Sequence, residues 1–162
     1  MQKLPVAALA LLLASCAHGP PALTVQDSLR SLPLDAVGDW RPMRFQGRVT
    51  VITFISTWCF PCLVDLPVLS KLQQDHPDDL EVLLVGMDLE GRRVLEPFAE
   101  MNELKLPLIV ANDAIRSGET AFGQIKQLPT RYVFKRDGTL SFAYAGVAEP
   151  QSLIGLIEKE LK

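Results

Sequence analysis

Residues 58–62 read Trp-Cys-Phe-Pro-Cys, directly after the apolar, β-branched run Val49–Ile55 and directly before a stretch with helical spacing. This junction constrains the chain more than any other feature. A run rich in Val, Ile and Thr suits a strand buried on both faces. Two cysteines three apart at a helix start can close a short disulfide and reopen it. The unpaired N–H groups and positive dipole end of a helix N-terminus stabilise a thiolate on the first sulfur. Cys59 is therefore the candidate nucleophile and Cys62 the candidate resolving thiol, with Pro61 suited to the first helical turn.

Other chemistries are open to the same pair. A structural disulfide across so short a loop would constrain the unfolded chain little. A zinc site needs about four ligands, and beyond the motif the chain offers only Cys16, His18 and His76 among its cysteines and histidines. Copper(I), a soft ion, suits two thiolates better, completed by a nearby methionine or His76.

At 162 residues the chain has room for one domain plus a trimmed segment. Its net charge of −3, with no basic block and no Gly-rich phosphate loop, gives no reason to expect nucleic acid as a partner. The first residues are distinct. Met-Gln-Lys is a short positive region, followed by an apolar stretch from Leu4 to Ala14 that is too short to span a bilayer. Leu13-Ala14-Ser15-Cys16 resembles the lipobox of a bacterial lipoprotein, in which cleavage precedes the cysteine and its sulfur carries a diacylglycerol. The alternative is an ordinary secretory signal cleaved nearby.

The cysteine arithmetic favours the lipoprotein: one cysteine at the lipobox, two in the motif, none left over. Residues 1–15 are then a signal peptide, 16–27 the lipidated cysteine and its tether, and 28–162 the domain. Two or more acyl chains give stable anchoring, whereas one is marginal. Removing residues 1–15 takes away Lys3 and no acid, leaving 15 basic against 19 acidic side chains. Ala17 is not the aspartate of an inner-membrane retention signal. The expected location is the bacterial cell envelope, outer membrane favoured, with the domain facing the periplasm.

Further along, Leu29–Leu34 and Pro42–Phe45 could form an N-terminal hairpin against which Trp40 packs, while His18 lies solvated in the tether. Cys62–His76 carries Leu63, Leu66, Leu69 and Leu72 at helical spacing, with Pro67 expected to kink the helix and Pro77 to end it. His76 then reads as a C-terminal cap. Leu80–Met87 and Leu106–Ala111 read as strands. Arg92–Leu104 reads as an amphipathic helix through Leu95, Phe98 and Met101, and Ile115–Phe122 as a short helix. Asp137-Gly138 between Arg131–Lys135 and Thr139–Tyr144 is a hairpin signal. Pro150–Leu161 is a closing helix with Leu153, Ile157 and Leu161 inward. Glu81, Asp88 and Glu90 are strand-end or loop acids without an evident partner. The order predicts an α/β fold, a mixed central sheet covered by helices, with the dithiol at the C-terminal edge of the first central strand.

Four features resemble the thioredoxin superfamily, and within it the TlpA/ResA-like branch of membrane-tethered extracytoplasmic thiol–disulfide oxidoreductases. These are Phe54-Ile-Ser-Thr-Trp-Cys-Phe-Pro-Cys62, Asp65-Leu-Pro67, Leu128-Pro129-Thr130, and Asp137-Gly138 with its hairpin and closing helix. The interval from Cys62 to Pro129 leaves room for the branch's extra central βα unit. The resemblance spans roughly residues 28–161 and implies a thioredoxin-like fold. It implies a redox-active Cys59–Cys62 pair, a cis-proline at Pro129 lying against the sulfurs, and a partner's extended chain pairing with the backbone of Leu128 and Thr130. Trp58, Phe60 and Pro61 would line the same substrate surface.

Two positions depart from the branch. Asp65 stands where glutamate is frequent. Thr53 stands where thioredoxins keep a buried aspartate and this branch often an asparagine. Threonine cannot act as a base, so Asp65 is the candidate for proton handling near Cys62; the alternative is a solvated acid stabilised by the helix dipole. The implied activity is reduction of protein disulfides without a bound cofactor, with electrons from a membrane dithiol reductase. Cytochrome c maturation is the branch's familiar role. A thiol peroxidase would require Pro-x-x-x-Thr-x-x-Cys, and Ile52 and Ser56 occupy the positions before Cys59.

Overall fold

The computed structural model describes residues 23–30, 32, 35–38 and 43–162. The lipobox with Cys16, His18, Leu34, Trp40 and Pro42 lie outside the described residues. Among the described residues no helix is long and apolar enough to cross a membrane.

Strand β1 (Ala36–Val37) follows helix α1 (Val25–Arg30), and β2 (Val49–Ile55) leads into α2 (Phe60–Asp75). Then come β3 (Leu80–Gly86), α3 (Arg92–Met101), β4 (Leu108–Val110) and α4 (Asp113–Ser117). The chain closes with β5 (Thr130–Phe134), β6 (Leu140–Ala145) and α5 (Pro150–Leu161). All six strands form one sheet in the order β1-β4-β3-β2-β5-β6. Strand β2 runs parallel to β3, and β3 to β4; the β2–β5, β5–β6 and β1–β4 pairs are antiparallel. The observed mixed sheet flanked by helices is the expected fold class.

Every residue of β2 and β3 is buried, as a strand covered on both faces requires. One apolar layer joins Val49, Val51, Ile55, Val82 and Leu84 to Leu66 and Leu69 of α2, Leu95 of α3, and Leu153 and Ile157 of α5. The other joins Ile52, Phe54, Leu83, Val85 and Phe134 to Val25 of α1, Ile115 of α4 and Phe122. On this second face Phe54, Phe122 and Tyr132 meet edge to face, with centroids 4.9 to 5.9 Å apart.

Several sequence expectations shift. Leu29 ends a helix rather than opening a hairpin. The Thr24 hydroxyl accepts the Asp27 N–H at 3.2 Å and donates to the Asp27 carboxylate at 2.6 Å, an N-terminal capping exchange that favours helix. Helix α2 continues past Pro67 to Asp75. Its buried face is Cys62, Asp65, Leu66, Leu69 and Leu72, while Leu63 is half-buried. Helix α3 stops at Met101, which is 78% exposed, so its inner stripe is Leu95 and Phe98. Strand β4 is shortened by Pro107, which has no N–H for the ladder. Helix α4 begins earlier than expected, where Asn112 accepts the Ile115 N–H at 2.9 Å, and ends at Gly118 in the left-handed conformation. Helix α5 and the β5–β6 hairpin around Gly138, at φ 83°, lie where the sequence places them within a residue or two.

Leu69, fully buried between α2 and the sheet, and exposed Met101 give opposite expectations. Leu69→Ala is expected to lower unfolding free energy by about 2–5 kcal/mol, and Met101→Ala by less than about 0.5 kcal/mol, both read by urea denaturation.

Candidate active site

Strand β2 ends at Ile55, and the next residues turn directly into α2. Cys59 caps that helix: its Sγ accepts the Cys62 N–H at 3.3 Å, and its carbonyl accepts the Cys62 and Leu63 N–H groups at 3.0 and 3.3 Å. Cys59 and Cys62 are joined as a disulfide. Cys59 keeps 4% exposure and Cys62 none, so Cys59 is the member of the pair with surface open to solvent. An N–H aimed at the Cys59 sulfur and the helix dipole behind it both favour negative charge there once the bond opens. Trp58 and Phe60 project on either side of Cys59, 76% and 74% exposed, and Pro61 is half-buried in the first turn.

The Leu128–Pro129 peptide is cis. Antiparallel register pairs Phe54 with Thr130 and Thr53 with Arg131; carried one residue further, it sets Pro129 alongside Ile55, at the mouth of the motif loop. Pro129 and Thr130 are buried and Leu128 is half-buried. Thr130 is flanked by Phe54 and Ala145 inside the sheet, and the Pro129 carbonyl accepts the Gly146 N–H at 2.8 Å. The backbone beside the dithiol that lies outside the ladder is therefore Gln127–Leu128, upstream of Pro129, rather than Thr130.

Asp65 is not a solvated acid. It lies one turn beyond the first turn of α2, 3% exposed, and its carboxylate is ion-paired with Arg131 of β5, itself 1% exposed. Arg131 also donates to the Gly146 carbonyl at 3.0 Å and lies 5.7 Å from the centroid of the Tyr144 ring. Burial pushes the Arg131 guanidinium down from its ordinary value to about 10, with Tyr144 acting in the opposite direction, so it is cationic at neutral pH. Thr53, across from Arg131 on β2, is fully buried and its hydroxyl has no hydrogen-bond partner among the described residues.

Three residues of the site were not singled out as such from the sequence. Asp88, at the end of β3, accepts the Thr57 N–H at 3.1 and 3.2 Å and the Thr57 hydroxyl at 2.6 Å, clamping the loop just before Trp58. Its signal was position: an acid closing the strand next to the motif strand. Gly146 adopts φ 92°, and a Cβ there would approach Gln127 Nε2 to 2.5 Å, so glycine alone lets its amide and carbonyl reach Pro129 and Arg131. Arg131 gave no local signal. His76 caps the far end of α2, donating its backbone N–H to the Leu72 carbonyl at 3.0 Å. At about 1.5 Å rise per residue it stands roughly 20 Å from Cys62, so it cannot complete a copper site with the two thiols.

After reduction, iodoacetamide at pH 6–7 is expected to modify Cys59 at least tenfold faster than Cys62; peptide mapping showing the reverse order would reverse the two roles.

A family model described as the AhpC/TSA family matches residues 29–143. Thioredoxin-like protein YneN of Bacillus subtilis is 25% identical over 103 residues, covering 62% of this chain and 58% of that protein. Sporulation thiol-disulfide oxidoreductase A of Bacillus subtilis is 26% identical over 112 residues, 67% of this chain and 66% of that protein. The chain thus matches somewhat under two thirds of the length of these relatives. In fold it is similar to a secreted Mycobacterium tuberculosis disulfide oxidoreductase, with TM-score 0.59 and 18% identity over 71% of this chain and 84% of the other. Together with the sheet order and the helix-capping disulfide, the match over most of its length shows that the chain belongs to the AhpC/TSA family and has a thioredoxin-like fold.

Proposed function

We propose that this chain is a thiol–disulfide oxidoreductase of the bacterial cell envelope, lipid-anchored through Cys16 with its domain facing the periplasm, that reduces disulfides in other proteins. The observation that carries the reading is the Cys59–Cys62 disulfide at the N-terminus of α2, with the outer sulfur capping the helix. The names of the curated relatives point to the same activity.

The chemistry follows from the geometry. In the reduced protein the Cys59 thiolate attacks one sulfur of a substrate disulfide. A Cys59–substrate bond forms, and one substrate thiolate leaves and takes up a proton. Cys62, one helical turn away, then gives up its proton, attacks the Cys59 sulfur and releases the second substrate sulfur as a thiolate, which takes up a proton from solvent. Two electrons have passed to the substrate and the Cys59–Cys62 disulfide is restored. Another dithiol, supplied by a membrane reductase, must reopen it. Trp58, Phe60 and Leu128 present apolar surface to a substrate chain on either side of the sulfurs, and cis-Pro129 shapes the floor between them.

A peroxidase reading is disfavoured by the same strand. Ile52 is buried within β2 and Ser56 follows its end, where the peroxidatic pattern would need proline and threonine.

The purified full chain is expected to reduce insulin disulfides with a small dithiol as electron source, and Cys62→Ser to trap mixed disulfides that Cys59→Ser does not. Peroxide consumption without insulin reduction would overturn the assignment. For the anchor, Cys16→Ala after normal export is expected to move the protein from the membrane fraction to the soluble periplasmic fraction. Retention on membranes would refute lipidation.

A further inference from the structure

The sheet puts a charged pair where a dithiol enzyme has most to gain or lose from charge. Asp65 lies three residues after Cys62 on the same buried face of α2. Residues so spaced stand about 5–6 Å apart on a helix. An unpaired carboxylate there would oppose ionisation of the sulfurs, and an unpaired guanidinium would promote it. The structure supplies both: Arg131 reaches across from β5 to pair with Asp65 in the layer between α2 and the sheet. Among the described residues, the groups that face the pair bring no buried competing charge. Across from Arg131, β2 presents Thr53, which does not titrate, and β3 presents Leu84. From β6 comes Tyr144, on the guanidinium face, with its hydroxyl donating to the Val147 carbonyl at 2.6 Å. From α5 come Leu153 and Ile157, with Glu149 exposed at its N-cap. Asp88 is occupied by Thr57, and Glu81 lies in register with Thr50, on the opposite face of the sheet from Thr53.

We infer that Arg131 is a positioning residue for the dithiol: it neutralises Asp65, so that the pair acts on the sulfurs as a fixed unit without net charge and Asp65 does not serve as the proton acceptor for Cys62. A carboxylate held by a buried guanidinium is a poor base, because taking up a proton would leave the arginine's charge uncompensated in the interior. The proton lost from Cys62 then goes to the departing substrate thiolate, which is generated at the same place in the preceding step. With that proton from Cys62 and one from solvent for the second substrate thiolate, the balance closes without a further acid or base from the protein.

This inference rests on the dithiol exchange proposed above, and its test reads ionisation separately from turnover. The full chain, reduced, is titrated by thiolate absorbance and by alkylation rate against pH, in wild type, Asp65→Asn, Arg131→Gln, the double variant and Arg131→Lys. Asp65→Asn strands a cation and is expected to raise the thiolate-to-thiol ratio at a given pH by about tenfold. Arg131→Gln strands an anion and is expected to lower that ratio by a similar factor. The double variant and Arg131→Lys are expected to lie within about threefold of wild type, the former because both charges are gone together and the latter because the charge is kept. A role confined to holding the fold would not give opposite shifts that cancel. The double variant, which buries no lone charge, keeps the test decisive if a single variant folds poorly. Shifts of the same sign, or a double variant that does not return towards wild type, overturn the inference. So does a tenfold or greater loss of the mixed-disulfide resolution rate in Asp65→Asn, which would make Asp65 the proton acceptor. Failure of the wild type to reduce insulin would instead count against the proposed function and leave the ionisation pattern readable.

Discussion

Strand β2 is hydrogen-bonded on both edges, to β3 and to β5, and covered on both faces, so neither its position nor its register can drift without breaking the ladder on one side or the other. A one-residue slip would exchange every side chain between the two apolar layers. The motif hangs from the end of this strand. The turn after Ile55 is held by the Met87 N–H on the Ile55 carbonyl at 2.8 Å and by Asp88 on Thr57, both from the segment that directly follows β3. The sulfurs therefore inherit the rigidity of the sheet centre while Cys59 keeps its small exposed area. A redox centre on a mobile loop would meet its second thiol less often. Here the second thiol is one helical turn away on an element packed against that same strand.

The layer beneath the dithiol is built differently from the rest of the core. Most of it is aliphatic, but Asp65, Arg131 and Thr53 bring polar groups between α2 and the sheet. A buried ion pair is poor evidence of stability, since desolvation offsets much of the attraction. Its value lies in where the charges sit. Arg131 ties β5, the Gly146 corner and α2 together, and through Gly146 it is joined to the carbonyl of cis-Pro129. One side chain thus links cis-Pro129 to the helix that carries both sulfurs. Thr53 allows this: a second acid at that position would leave the guanidinium shared between two carboxylates.

Family membership and fold limit the chemistry without choosing the partner. Exposed Trp58 and Phe60 give Cys59 an apolar rim, which supports the proposed protein substrate over a small charged molecule.

Much of the fold was legible because its signals are local. The β-branched run made β2, the leucines at helical spacing made α2, and Asp137-Gly138 made the hairpin. Pro150 set the start of α5, whereas the cis bond before Pro129 was implied by the family resemblance and not by a local signal. Where local signals compete, the structure departs from the expectation: Thr24 and Asp27 cap a helix that takes in Leu29, where a hairpin was expected to begin, and Met101 continues an apolar spacing that turns outward at the end of α3. The closeness of the two cysteines follows from their spacing at the helix terminus, and the roles proposed for them rest on the same feature. What the sequence could not supply was the partner of Asp65. Asp65 and Arg131 are 66 residues apart, on elements whose facing is decided by the register of β5 on β2 and by how α2 lies across both. Only that packing turns an acid and a base, each unremarkable in its own segment, into a neutral pair beneath the sulfurs.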